Sequence, residues 1–119
     1  AFALAYPERL PLSHLKTLSL IECGALTFEA PDLSRFPCLR LAYDALAAGG
    51  TMPACLNAAN EELVAAFLGG RLSFTEIPRQ LEAVMLRHDN RPAESLEDLL
   101  EIDGWARMAT RERISAAAA

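Results

Sequence analysis

Apolar residues recur at helical spacing from residue 36 onward and lose that period before it. Leu39, Ala42, Tyr43 and Leu46 make one such stripe, so a first helix is expected from Phe36-Pro37, with proline at the first helical position where its missing N–H is harmless. Gly49-Gly50 ends that helix by offering a residue free to take the left-handed cap. A second helix follows, with Thr51 or Asn57 as its cap and Gly69-Gly70 as its stop. It carries Leu56-Asn57-Ala58-Ala59-Asn60-Glu61 and the apolar run from Leu63 to Leu68. Leu56, Leu63 and Phe67 share a stripe, and Asn60 falls on it between them. An unpaired amide facing a core costs about 1–3 kcal/mol, so Asn60 is expected to hydrogen-bond to a neighbouring segment as a tether.

Leu72-Ser73-Phe74-Thr75-Glu76-Ile77 holds the strongest local signal. Ser73 and Glu76 have capping-box spacing, and Leu72 with Ile77 makes a hydrophobic staple, so a third helix is expected to start there. Ile77, Leu81, Val84, Met85 and His88 continue it, with Pro78 bending or tightening its first turn. Asp89-Asn90-Arg91-Pro92 reads as a turn and Ser95-Leu96-Glu97-Asp98 as another helix start. Asp103 would cap a final helix carrying Trp105, Met108, Ala109 and Ile114. Short loops imply antiparallel neighbours, so residues 36–119 are expected to form a small up-and-down bundle of four main helices.

Residues 1–35 read differently. Three of the seven prolines, Pro7, Pro11 and Pro31, lie there, each removing a donor and pushing the residue before it toward extended geometry. The segment is an extended linker. Leu26-Thr27-Phe28-Glu29-Ala30 alternates apolar with polar and is its one short strand, whose partner would lie in another subunit or in a part of the protein outside this chain. The fold class is therefore mainly α, with the linker preceding the bundle.

Length and composition narrow the picture. At 119 residues the chain suits one core, and a 52% hydrophobic content rich in Ala and Leu favours helix. The net charge is −5 and the 11 Lys and Arg are scattered, so no basic face invites nucleic acid. The longest uncharged run, residues 45–60, contains Gly49, Gly50, Pro53 and two Asn and does not suit a membrane. No basic region precedes the apolar start, so a signal peptide is not expected, and a first residue other than methionine suggests a fragment. Cys23, Cys38 and Cys55 are an odd number at wide spacing, which suits a reducing cytoplasmic setting.

Candidate chemistry is sparse. His14 and His88 stand far apart, and no set of ligands has the spacing of a zinc site. His88 near a helix C-terminus suits capping or packing better than catalysis. The carboxylates Glu29 and Asp32, Glu61 and Glu62, and Glu97, Asp98, Glu101 and Asp103 fit solvated helix faces and first turns better than acid/base pairs or a divalent-ion site. Cys38 follows Pro37 at a helix start, a place that lowers a thiol pKa, yet no histidine is set beside it, and a buried small hydrophobe is the better reading. The Gly-Gly pairs end helices rather than open them, so no phosphate loop is present.

Four stretches, Ala25 to Asp32, Arg35 to Ala42, Leu56 to Glu61 and Ala65 to Leu68, together with Ala5-Tyr6-Pro7-Glu8-Arg9, closely resemble the C-terminal region of the 1-deoxy-D-xylulose 5-phosphate reductoisomerase family. The resemblance is strongest over residues 25–77. It implies a longer enzyme with an upstream NADPH-binding domain and a catalytic domain, of which this chain is the linker (1–35) and the C-terminal helical bundle (36–119). The implied reaction isomerises 1-deoxy-D-xylulose 5-phosphate with a divalent metal ion, magnesium or manganese, and reduces the product with NADPH to 2-C-methyl-D-erythritol 4-phosphate in isoprenoid biosynthesis.

The family's metal carboxylates, phosphate-binding residues and nucleotide loop lie upstream of the matched part. The resemblance therefore implies no catalytic, cofactor-binding or metal-binding residue in this chain, a fragment inactive alone, and partners consisting of the upstream domains and, for the longer enzyme, a second copy in a homodimer. Leu56 to Glu61 maps onto the family's own motif within the bundle and is read as structural. A free-standing helical interaction module is the alternative, suggested by the missing active site and the unpaired 26–30 segment. A small thiol or metal enzyme using Cys38 or His88 comes third.

Overall fold

The computed structural model describes residues 3, 6–8, 11, 15, 16 and 18–117. They belong to two units, residues 1–30 and residues 31–119. In the first, α1 (Leu20–Cys23) is a single turn capped by Ser19, whose Oγ accepts from Glu22 N at 3.3 Å. It closes at Gly24, which takes φ 68°. This turn was not expected. The Ser-x-x-Glu spacing at Ser19 and Glu22 is its signal.

The expected strand at residues 26–30 does not form. All five residues are exposed and outside any ladder among the described residues. Alternation makes a segment capable of pairing, but a strand exists only where a second edge meets it.

The second unit is a bundle of α2 (Pro37–Ala48), α3 (Met52–Leu68), α4 (Glu76–Arg87) and α5 (Leu96–Ala117). Pro37 opens α2, and Gly49 with φ 62° closes it. The face it buries is not the expected one. Leu41 and Ala45 are inside, with Cys38 packed against them, whereas Leu39, Tyr43 and Leu46 are 38%, 62% and 74% exposed. Both stripes are apolar at helical spacing, so periodicity alone could not choose between them.

α3 is central and touches every other main helix, α5 most closely. Its buried residues are Cys55, Ala58, Ala59, Leu63 and Ala66, all without exposure. Of the stripe drawn through Leu56, Asn60, Leu63 and Phe67, Leu63 is buried as expected, while Cys55, Ala59 and Ala66, one position earlier, are buried in place of Leu56, Asn60 and Phe67. Asn60 is half-buried, forms no side-chain hydrogen bond among the described residues and keeps its amide in contact with solvent, so it is not the expected tether. Three of the five buried residues are alanines, and small side chains let neighbouring helices pack closely.

α4 begins two residues later than a cap at Ser73 would start it, with Thr75 at the cap position. The capping box at Ser73 does not close: Ser73 Oγ meets Thr75 Oγ1 at 3.3 Å, and the Glu76 carboxylate turns to Arg79 and Gln80. Pro78 thus sits in the first turn, where its missing N–H breaks no helical bond. Ile77, Leu81, Val84 and Met85 are buried as expected, joined by Gln80, whose Oε1 accepts from Arg113 Nε at 2.8 Å.

The reciprocal cap appears instead at α5. Asp98 N donates to Ser95 Oγ at 3.1 Å while Ser95 N donates to Asp98 Oδ2 at 2.9 Å. From there the helix runs unbroken through Asp103 and Gly104, where a second start was expected. An interior glycine costs about 1 kcal/mol, which burial of Ile102, Ala106, Ala109 and Ile114 on both sides of it offsets. Asp103 spends its carboxylate on Arg107 at 2.7 Å instead of capping. Met108, expected inside, is 55% exposed.

Overpacking the contact between α3 and α5 is expected to be costly. Ala106→Leu should destabilise the bundle by about 1–3 kcal/mol, and Met108→Ala by less than about 0.5 kcal/mol, in urea unfolding followed by circular dichroism.

Candidate functional site

The densest polar junction lies where the loop after α4 closes on the turn between α2 and α3. Gly50, at φ 56°, brings that turn so near the loop that an added Cβ would lie 2.4 Å from the Arg91 carbonyl oxygen. The approach lets Thr51 N donate to Arg91 O at 2.9 Å. Asn90 Oδ1 accepts from Thr51 N at 3.1 Å, Met52 N at 3.0 Å and Thr51 Oγ1 at 3.2 Å, and so caps α3 from across the chain. Asn90 Nδ2 donates to Ala48 O at 3.4 Å, tying the end of α2 to the same residue.

Thr51 has no exposed surface, and its Oγ1 also accepts from Arg91 N at 3.3 Å and lies 2.8 Å from His88 Nε2. With the hydroxyl donating to Asn90, Nε2 of His88 carries the hydrogen and Nδ1 is left as the acceptor of the neutral ring. The ring rests on Trp105 with centroids 5.4 Å apart. Burial lowers the His88 pKa first of all; Asp89 opposes that and Arg91 adds to it. The ring is a neutral packing and hydrogen-bonding group. Its hydroxyl partner is sealed from solvent and cannot meet a substrate, so the pair is no nucleophile and base.

Five of the candidate carboxylates meet arginines. Arg107 meets Glu61 at 2.6 Å, Asp103 at 2.7 Å and Glu62 at 3.4 Å, and Arg111 meets Glu62 at 2.7 Å. The bond from Arg111, followed by Arg107, holds Glu62 below its ordinary pKa against the opposing effect of burial. Glu101 pairs with Arg91 at 2.6 Å. Asp32 accepts from Ser34 and Arg35, which lowers its pKa and shapes the turn before α2, and Glu29 is exposed. Among the described residues no group of three or more His, Cys, Asp or Glu side chains is placed to hold a metal ion.

Cys38 lines an open cleft of about 350 Å³ between the starts of α2 and α4, beside Phe36, Pro37, Phe74, Ile77 and Pro78. Burial pushes its thiol upward, the opposite of activation, and pushes Cys55 to about 11. Both behave as small hydrophobes. Cys23 is exposed, and His14 lies outside the described residues. The contribution that sequence reasoning missed is Asn90. Asparagine is a favoured cap residue, but nothing local shows that it caps a helix 38 positions earlier in the chain.

The fold defines a helical bundle domain in which Thr51, His88, Asn90, Glu61 and Glu62 are engaged by neighbouring segments. The family model for the DXP reductoisomerase C-terminal domain matches residues 1–109, and the chain belongs to that family. It is 50% identical over 111 residues to the 1-deoxy-D-xylulose 5-phosphate reductoisomerase of Acetivibrio thermocellus, covering 93% of this chain and 29% of the relative. It is 53% identical over 107 residues to that of Methylobacillus flagellatus, covering 90% and 27%. The reductoisomerase from Zymomonas mobilis in complex with NADPH superposes with a TM-score of 0.81 at 36% identity, covering 95% of this chain and 30% of that one. A DOX-P reductoisomerase in complex with NADPH, fosmidomycin and magnesium gives 0.79 at 35%, covering 97% and 30%. The chain thus spans under a third of the length of these relatives, and no described helix is long and apolar enough to cross a membrane.

Two outcomes test the junction. Asn90→Ala removes the cap and should cost about 0.5–2 kcal/mol in chemical denaturation, whereas Asn90→Asp keeps the acceptor and should lose less. For His88 the folded pKa lies below the unfolded value near 6.5, so the unfolded chain takes the proton first. The stability contributed by the neutral ring is complete above that value and is lost as pH falls through it toward the folded pKa. Urea midpoints between about pH 8 and about pH 5 should fall in wild type and fall less in His88→Gln.

Proposed function

We propose that this chain is the C-terminal part of a longer reductoisomerase that converts 1-deoxy-D-xylulose 5-phosphate to 2-C-methyl-D-erythritol 4-phosphate with NADPH and a divalent metal ion. The observation that carries the reading is the family match over residues 1–109, joined to relatives of which the chain covers only 29%. Within it, residues 1–35 are the linker from the catalytic domain and residues 36–119 the supporting bundle. Catalytic, nucleotide and metal groups belong to the upstream domains, and none comes from this chain. The sealed Thr51, the raised thiols of Cys38 and Cys55 and the arginine-bound Glu61 and Glu62 support that assignment. The longer enzyme is a cytoplasmic homodimer. A free-standing interaction module is the weaker reading, because the relatives matched here carry this domain within a longer chain.

The test is NADPH oxidation with 1-deoxy-D-xylulose 5-phosphate and magnesium. The full-length protein should turn over and the 119-residue chain should not. In the full-length protein Cys38→Ala and Asn60→Ala should keep kcat within about threefold of wild type, as expected of residues that bind no transition state. Turnover by the chain alone would overturn the supporting role, and silence of the full-length protein would overturn the enzyme assignment.

A further inference from the structure

Of the 12 residues of α2, Arg40 and Asp44 alone are charged, and they pair with each other at 2.9 Å along one edge. Leu41 and Ala45 bury one face. The other carries Leu39, Ala42, Tyr43 and Leu46 at i, i+3, i+4 and i+7, all exposed, with Leu46 at 74%. Phe36 and Phe74, 53% and 65% exposed, add further apolar surface at the cleft by the helix start. A helix apolar on nearly every side is the pattern of one covered on nearly every side, and a contiguous apolar patch of this kind marks an interaction surface.

We infer that the outer face of α2 is where the remainder of the same polypeptide docks on the bundle. This rests on the proposed function, and it names the surface through which the bundle supports the rest. The observation that selects this occupant is length: relatives at 50% and 53% identity hold this domain in 29% and 27% of their chains, leaving ample polypeptide tethered beside it. A tethered segment competes at an effective concentration of about millimolar, ahead of a free second copy. Arg40 is shared by Asp44 and by Glu82 of α4, so its charge is met within the bundle, and the apolar residues of the outer face call for an apolar surface to meet them.

Maleimide labelling of the full-length protein, followed peptide by peptide, tests this. Leu46→Cys and Tyr43→Cys are compared with Glu112→Cys, an exposed position on α5. Both outer-face cysteines should label about tenfold or more slowly than Glu112→Cys, at a rate independent of protein concentration. Equal labelling of the three in a protein with full reductoisomerase activity would overturn the docking face while leaving the proposed function standing. Protection that disappears on dilution would assign the face to a second copy and also overturn the inference. Retained turnover in both variants shows that they are folded.

Discussion

The close approach of α3 to α5 is the constraint on which the bundle rests. Ala58, Ala59 and Ala66 on one helix and Ala106 and Ala109 on the other are at or near zero exposure, so a larger side chain at any of them would have to displace packed neighbours. Thr110, fully buried beside them, turns its hydroxyl back to Ala106 O at 2.7 Å and so needs no partner across the helices. Leu63, Leu81, Val84 and Ile114 then fill the space around this contact, each contributing about 1.5–3 kcal/mol on burial. Arg107 and Arg111 close its solvent edge over Glu61 and Glu62. Partly exposed pairs of this kind add little stability one by one, but they fix which edge of α5 faces α3.

A second lock holds the opposite end of α3. Thr51 cannot cap its own helix because its hydroxyl is engaged with His88, Asn90 and Arg91. The loop after α4 supplies the missing acceptor through Asn90. Helix starts left without acceptors are costly when buried, so this loop and the Gly49-Gly50 turn are ordered together. The polar groups of this junction are thereby engaged in architecture: Thr51, His88 and Asn90 bind one another across neighbouring segments.

Much of this was legible in the chain. Pro37 and the Gly-Gly pairs act through backbone conformations that depend on one or two residues, so α2 and α3 begin and end almost where those residues stand. The apolar stripe of α4 was unambiguous because polar residues fill its other side. The family was legible too, read from motifs such as Leu56 to Glu61, and the comparisons with known proteins bear out that family.

What the sequence determined by itself was therefore helix content, the limits of α2 and α3 and family membership, all carried by local spacing and by runs of residue identity. Tertiary structure alone decided which face each helix buries. α2 has two apolar faces and α3 carries apolar residues on both sides of its buried stripe, so only the position of neighbours separates Leu41 from Leu39, or Ala59 from Leu56. It also decided that Ser95 rather than Ser73 closes a capping box, that Asp103 binds Arg107 rather than starting a helix, and that residues 26–30 remain unpaired. Each is a choice between alternatives of similar local energy, and packing between distant segments outweighs a local preference of about 1 kcal/mol.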